Sequence, residues 1–155
     1  MVVFTLPLLM AAAIASGGGA AAPDANGQVV ADACGGEVMP EDFVKLPKAV
    51  QEQKLSCFTR EAVKRFNRTL PSKVDKTTVL QSVSAEGVTM TYHYRVDVDR
   101  ADIKPAALEA FKGTVRGKVC AAQDMHTIIR VGGKYRYLWL DKNGKLIGSM
   151  IVDRC

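Results

Sequence analysis

The sequence predicts an α+β fold: a four-stranded antiparallel sheet made from two β-hairpins, with helices packed on one face. Three observations predict it. Val88, Met90, Tyr92, Tyr94, Val96 and Val98 alternate with Thr89, Thr91, His93, Arg95 and Asp97, the period of two that marks a half-buried strand. Leu108, Phe111, Val115 and Val119 then recur at spacings of three and four, which gives a helix one apolar face. Near the C-terminus Asp141-Lys142-Asn143-Gly144 separates two apolar runs, a turn signal with glycine available for positive φ.

The remaining elements follow in chain order. Pro47 suits the first position of a short helix through about Lys54, because its missing N–H costs nothing there. A second helix is expected after Cys57, with Thr59 as N-cap, Ala62, Val63, Phe66 and Leu70 on one face, and Pro71 as the stop. Thr, Val and Ser dominate Lys76–Ser84, which fits a strand, and Ala85-Glu86-Gly87 makes the turn into the alternating segment. Asp102 caps the next helix, with Pro105 in its first turn, and the helix reaches Cys120. A shorter one from Gln123 to Val131 offers Met125, Ile128 and Ile129 and ends at Gly132-Gly133. The strands Lys134–Leu140 and Lys145–Val152 complete the hairpin.

Residues 1–22 are expected to be a signal peptide, 23–38 a flexible leader and 39–155 a single α+β domain. Residues 2–15 are apolar and uncharged and run into a Gly- and Ala-rich stretch. At about 1.5 Å per residue that run falls short of the ~30 Å hydrocarbon core, so no transmembrane span is expected after signal removal. Cleavage after Ala15 or after Ala22 both fit, placing the mature start between Ser16 and Cys34. Asp32 speaks against Cys34 as a lipid-modified N-terminus.

Cys34, Cys57, Cys120 and Cys155 are an even set in a chain expected to be exported, which predicts two disulfides and a periplasmic or secreted location. Zinc binding wants close pairs such as C-x-x-C, and none exists here. Three connectivities are open; Cys34–Cys57 with Cys120–Cys155 is favoured because each closes a local loop. The net charge of +5 lies wholly after residue 22 and favours anionic partners. Lys and Arg form no dense run, so nucleic-acid binding has no specific signal.

Chemistry is sparsely signalled. His93 and His126 are the only histidines, and neither sits in a pattern resembling a base with an orienting partner. Asp97, Asp99, Asp102 and Glu109 fail the calcium-loop test, since Ala101 and Asp102 stand where an acid and a glycine are needed. No phosphate-binding glycine loop or serine-nucleophile motif occurs after the leader. No catalytic residue, metal ligand or cofactor is therefore assigned. Asn67-Arg68-Thr69 matches the N-glycosylation pattern.

The segment Tyr135-Arg136-Tyr137-Leu138-Trp139-Leu140 carries large groups on both faces of its strand. Either Tyr135, Tyr137 and Trp139 pack in the core and Leu138 and Leu140 are covered by the N-terminal helices, or the aromatics form an amphipathic outer patch of the kind favoured at binding sites. On the second alternative Tyr135, Tyr137 and Trp139 with Arg95 and Arg136 are the candidate binding residues.

The run from Cys120 to Cys155, with its cysteine, short helix, glycine, aromatic strand, D-x-x-G turn and last strand, resembles small bacterial periplasmic proteins of unassigned function, over about residues 57–155. The resemblance implies an envelope setting and brings no catalytic residue. The expected function is a non-enzymatic binding or accessory domain of the bacterial envelope, presenting its sheet or a hairpin edge to a protein or anionic envelope polymer. The alternative is a secreted hydrolase or inhibitor-like factor acting on cell-wall material; a glycosidase would need two carboxyls facing a cleft.

Overall fold

The computed structural model describes residues 33–36 and 40–155. The expected signal peptide and its cleavage site lie outside the described residues, as does most of the expected leader.

After a single helical turn, α1 (Pro40–Phe43), the long helix α2 runs from Lys48 to Phe66. It is one helix where the sequence predicts two. Nothing between Lys54 and Thr59 breaks it, since neither glycine nor proline occurs there. Thr59 is accordingly no cap: it is buried in mid-helix, and its hydroxyl donates to the Leu55 carbonyl at 2.8 Å. A 3₁₀ turn, Asn67–Thr69, ends the helix ahead of Pro71.

Five strands follow rather than four: β1 (Ser72–Lys73), β2 (Thr78–Glu86), β3 (Thr89–Val96), β4 (Lys134–Leu140) and β5 (Leu146–Val152). They lie side by side in sequence order. β2–β3 and β4–β5 are the expected antiparallel hairpins, and two-residue β1 adds to the free side of β2. The junction between the hairpins is parallel, pairing Met90 with Tyr135, Tyr92 with Tyr137 and Tyr94 with Trp139. The sheet is therefore mixed and not antiparallel. Its physical cause is the connection: α3 (Pro105–Ala121) and α4 (Gln123–Arg130) carry the chain back along the sheet before β4 begins, the crossover that parallel neighbours require.

Lys104 occupies the N-cap of α3 and Pro105 its first turn, while Asp102 closes a separate 3₁₀ turn, Arg100–Asp102. Extended backbone at Ala122 (φ −76°, ψ 112°) divides α3 from α4. Val63 of α2, Val115 and Val119 of α3, and Met125 and Ile129 of α4 enter one core with the same face of the sheet, so the helices form a single layer on that face. Two glycines allow the close approaches. A Cβ on Gly148 of β5 would sit 3.0 Å from the Leu108 side chain, and one on Gly133 would clash with the Ile128 side chain and lie 3.0 Å from the Ile128 carbonyl oxygen.

The described cysteines pair as Cys34–Cys57 and Cys120–Cys155. The first ties residues 33–36 to α2, and the second ties the last turn of α3 to the chain just past β5.

Asp141 organises the β4–β5 turn. Its side chain is buried, and it accepts backbone N–H bonds from Asn143 and Lys145 at 2.8 Å and from Arg100 at 3.3 Å. Burial alone would raise this carboxyl. The three N–H donors and the charge of Lys145 outweigh it and hold the group below the ordinary 3.8. A carboxylate depressed on folding stabilises the fold above its unfolded pKa, and that contribution disappears as pH falls through the folded value. Asp141→Asn should therefore lower the melting temperature at pH 7, and the gap from wild type should close on titration below pH 3.8. Thermal melts of both proteins across that range provide the check.

Candidate binding surface

The parallel β3–β4 register decides which side of the aromatic strand meets water. Tyr135, Tyr137 and Trp139 share the helix-covered face with Met90, Tyr92 and Tyr94, and they are 7%, 4% and 2% exposed. Their rings form a ladder: Tyr92 lies over Tyr137 at 5.3 Å, Tyr137 over Trp139 at 5.9 Å, and Phe111 of α3 meets Trp139 edge-on at 5.1 Å. Burial pushes the hydroxyls of Tyr92, Tyr94, Tyr135 and Tyr137 above the usual phenol value. The aromatic residues are core, so an outer patch made from them is ruled out. Their alternation partners take the opposite side.

Arg95 and Arg136 stand on that opposite side, the back of the sheet. The Arg95 guanidinium donates to the Lys142 carbonyl, which sets it over the β4–β5 turn. Arg136 lies 3.7 Å from the Glu86 carboxylate. Between them the register places Leu138 next to His93 and Ser149, Leu140 next to Arg95 and Leu146, and Ile151 next to Arg136. Leu138, Leu140 and Ile151 are half-buried and Leu146 is 47% exposed. The helix layer covers the other face. The back therefore carries a leucine strip on β4 and β5 with an arginine at each end, beside the exposed Ser82 and Ser84 of β2 and the buried Thr91 of β3.

The sequence-based candidates thus divide. Arg95 and Arg136 belong to this surface, the three aromatics do not, and Leu138, Leu140, Leu146 and Ile151 were missed. The available signal was the second apolar face of the strand Lys134–Leu140, which the core alternative expected the N-terminal helices to cover; the long N-terminal helix instead packs on the aromatic face, with Val63 in the core beside Tyr92 and Tyr137.

Two features bear on catalysis. His93 Nε2 and Ser84 Oγ lie 2.8 Å apart on the open back of the sheet, and burial lowers the histidine from its ordinary value. Among the described residues no carboxylate bonds to the ring to orient it, as a nucleophile–base pair requires. A cavity of about 560 Å³ opens beside the Cys34–Cys57 bridge, with Lys54 and Arg60 in its wall and no acid among the described lining residues. Lys54 spends its ammonium on the Cys34 and Gly35 carbonyls at 3.2 Å, which makes it a latch for the N-terminal segment. No group of three or more His, Cys, Asp or Glu suited to holding a metal occurs among the described residues.

No protein-family profile matches the sequence, and no curated protein does. The fold is shared with solved structures. A candidate secreted protein from Pseudomonas aeruginosa aligns over 66% of this chain and 92% of its own, with a TM-score of 0.60 and 15% identity. The type II secretion system pilotin AspS of Vibrio cholerae aligns over 67% and 93%, with 0.55 and 20%. The type 2 secretion system pilotin EpsS of Vibrio vulnificus aligns over 68% and 93%, with 0.59 and 17%. At these identities the likeness is one of fold. Together with two disulfides, the chemistry of an oxidising compartment, it accords with a periplasmic or secreted protein.

Proposed function

We propose that the chain is an exported, non-enzymatic accessory domain of the bacterial envelope that docks a protein partner on the back of its sheet. The observation carrying this reading is the leucine strip of β4 and β5 with Arg95 and Arg136 at its ends. Such a surface fits a segment with apolar side chains flanked by acids, where burial supplies affinity and the arginines set register and exclude basic competitors. The fold it shares with two secretion-system pilotins supports an accessory role beside a larger assembly. That support is analogy of fold, and the site residues are this chain's own.

A photo-crosslinking amino acid placed at Leu146 tests the proposal in cells, against the same group at Thr114 on the exposed side of α3. A discrete protein adduct is expected from Leu146 alone, reduced at least about tenfold by Arg95→Glu with Arg136→Glu in a chain that melts normally. Equal adducts from both positions, or an adduct indifferent to the arginines, would overturn it. Salt-sensitive retention on cell-wall polymer without a protein adduct would instead assign the surface to an anionic polymer.

A further inference from the structure

The two disulfides occupy unlike surroundings. Cys120 packs against the aromatic core, whereas neither Cys34 nor Cys57 takes part in it. Both cysteines of the N-terminal bridge are half-buried, and both form part of the wall of the cavity of about 560 Å³ beside α2. An attacking sulfur can therefore reach this bridge without disturbing the core. Lys54 and Arg60 stand in the same wall, one helical turn before and one after Cys57. The Lys54 ammonium is fixed at the bridge itself, 3.2 Å from the Cys34 carbonyl. Arg60 is exposed and lies 3.8 Å from the Glu61 carboxylate, which Lys64 holds more closely at 2.7 Å. Two cations thus flank Cys57, and no acid occurs among the described residues lining the cavity.

We propose that Cys34–Cys57 is a thiol–disulfide exchange site for a dithiol, opened while Cys120–Cys155 stays closed. A thiolate of the reductant attacks Cys34 Sγ, forming a mixed disulfide as the Cys34–Cys57 bond breaks, and the electron pair leaves on Cys57 Sγ. The cations on either side stabilise that leaving thiolate, which selects Cys34 as the sulfur attacked. The second thiol of the reductant, as its thiolate, then displaces Cys34. Two electrons and two protons have passed to the protein, leaving two thiols on it and a cyclic disulfide on the reductant. A fold protects each of its bridges from reduction by the free energy that the bridge contributes to the fold. Residues 33–36 add no member to the core, so this bridge has little such protection, and Cys120–Cys155, which joins α3 to the chain beyond β5, has much. Opening leaves the segment held on α2 by the Lys54 hydrogen bonds to the Cys34 and Gly35 carbonyls. The exchange therefore loosens the N-terminal attachment and spares the domain. It is independent of the docking surface, which lies on the opposite face of the sheet.

Equilibration of the oxidised chain in buffers of graded reduced-to-oxidised dithiothreitol ratio, followed by alkylation and peptide mapping, gives the first readout. Cys34 and Cys57 should be alkylated together at a ratio at least about tenfold lower than the one that opens Cys120–Cys155, an interval of about 30 mV for a two-electron couple. Trp139 emission should stay unchanged across that interval. The rate of opening gives a second readout. At low salt Arg60→Gln should slow it about threefold and Arg60→Lys should preserve it, because charge beside the leaving thiolate separates the two variants. Coincident opening of the two bridges, earlier opening of Cys120–Cys155, a red shift of Trp139 emission as Cys34–Cys57 opens, or an Arg60→Gln rate equal to wild type would each overturn the proposal.

Discussion

Trp139→Ala is expected to destabilise the protein by about 3–5 kcal/mol, the range for an emptied aromatic core site. The residue is 2% exposed and is held between Phe111 of α3, Tyr137 beside it and Tyr94 on the parallel neighbour. Removing the indole opens a cavity where the helix layer, β3 and β4 meet, and the rigid ring ladder is poorly able to collapse into it. One term acts in the opposite direction. The indole N–H is buried without a hydrogen-bond partner among the described residues, so the wild type already bears its desolvation cost. Trp139→Phe deletes that donor while keeping a ring and should recover most of the loss. Denaturant unfolding of the three proteins gives the comparison. Wild-type tryptophan emission should be blue-shifted and resistant to quencher, and a red, fully quenchable signal would return the aromatic strand to the surface.

The second large effect is expected at Cys120–Cys155. The bridge spans 35 positions and Cys34–Cys57 spans 23, and chain-entropy reasoning assigns about 3–4 kcal/mol to either. The structure predicts that they differ. Cys120 lies in the last turn of α3 and Cys155 follows β5, so this bridge joins two elements that both enter the core. Replacing both cysteines by serine should therefore cost close to the full amount. Cys34 belongs to a short segment latched by Lys54, and no described residue from 33 to 36 belongs to the core. Without its bridge that segment regains freedom in the native state as well, which cancels much of the gain in the unfolded chain. Urea midpoints of the two double-serine variants should separate in that order, and equal losses would show that the N-terminal segment is integral to the fold.

The elements most legible in the sequence were those whose signal is local. The alternation through Tyr92 and Tyr94, Pro105 at the start of α3 and the Asp141–Gly144 turn each write their conformation into a few neighbouring residues. Strand partnership is not written that way. Helices between Val98 and Lys134 were legible, and with them the means of a parallel crossover, but the hairpin signals favoured an all-antiparallel arrangement. That choice also left the aromatic strand unresolved, because only the pairing of Tyr92 with Tyr137 determines which face joins the core. The back surface was hidden for the same reason. Leu138 and Leu140 are apolar whichever way the strand faces, and they become a surface strip only once the larger rings have taken the other side. Two-residue β1 is too short to carry a period.

The parallel seam at the centre of the sheet also bears on how the chain reaches this state. β3 and β4 are separated in sequence by the whole helical crossover, and neither hairpin can complete the aromatic ladder until the other arrives, so the most buried contacts in the molecule are among its least local. Such contacts carry the loop-closure entropy of the whole crossover and slow the search for the native state. Each disulfide, in contrast, lies entirely on one side of the seam. Oxidation can therefore stiffen each half before the two meet, shrinking the ensemble from which the long-range pairing must nucleate without committing the chain to a wrong partner across it.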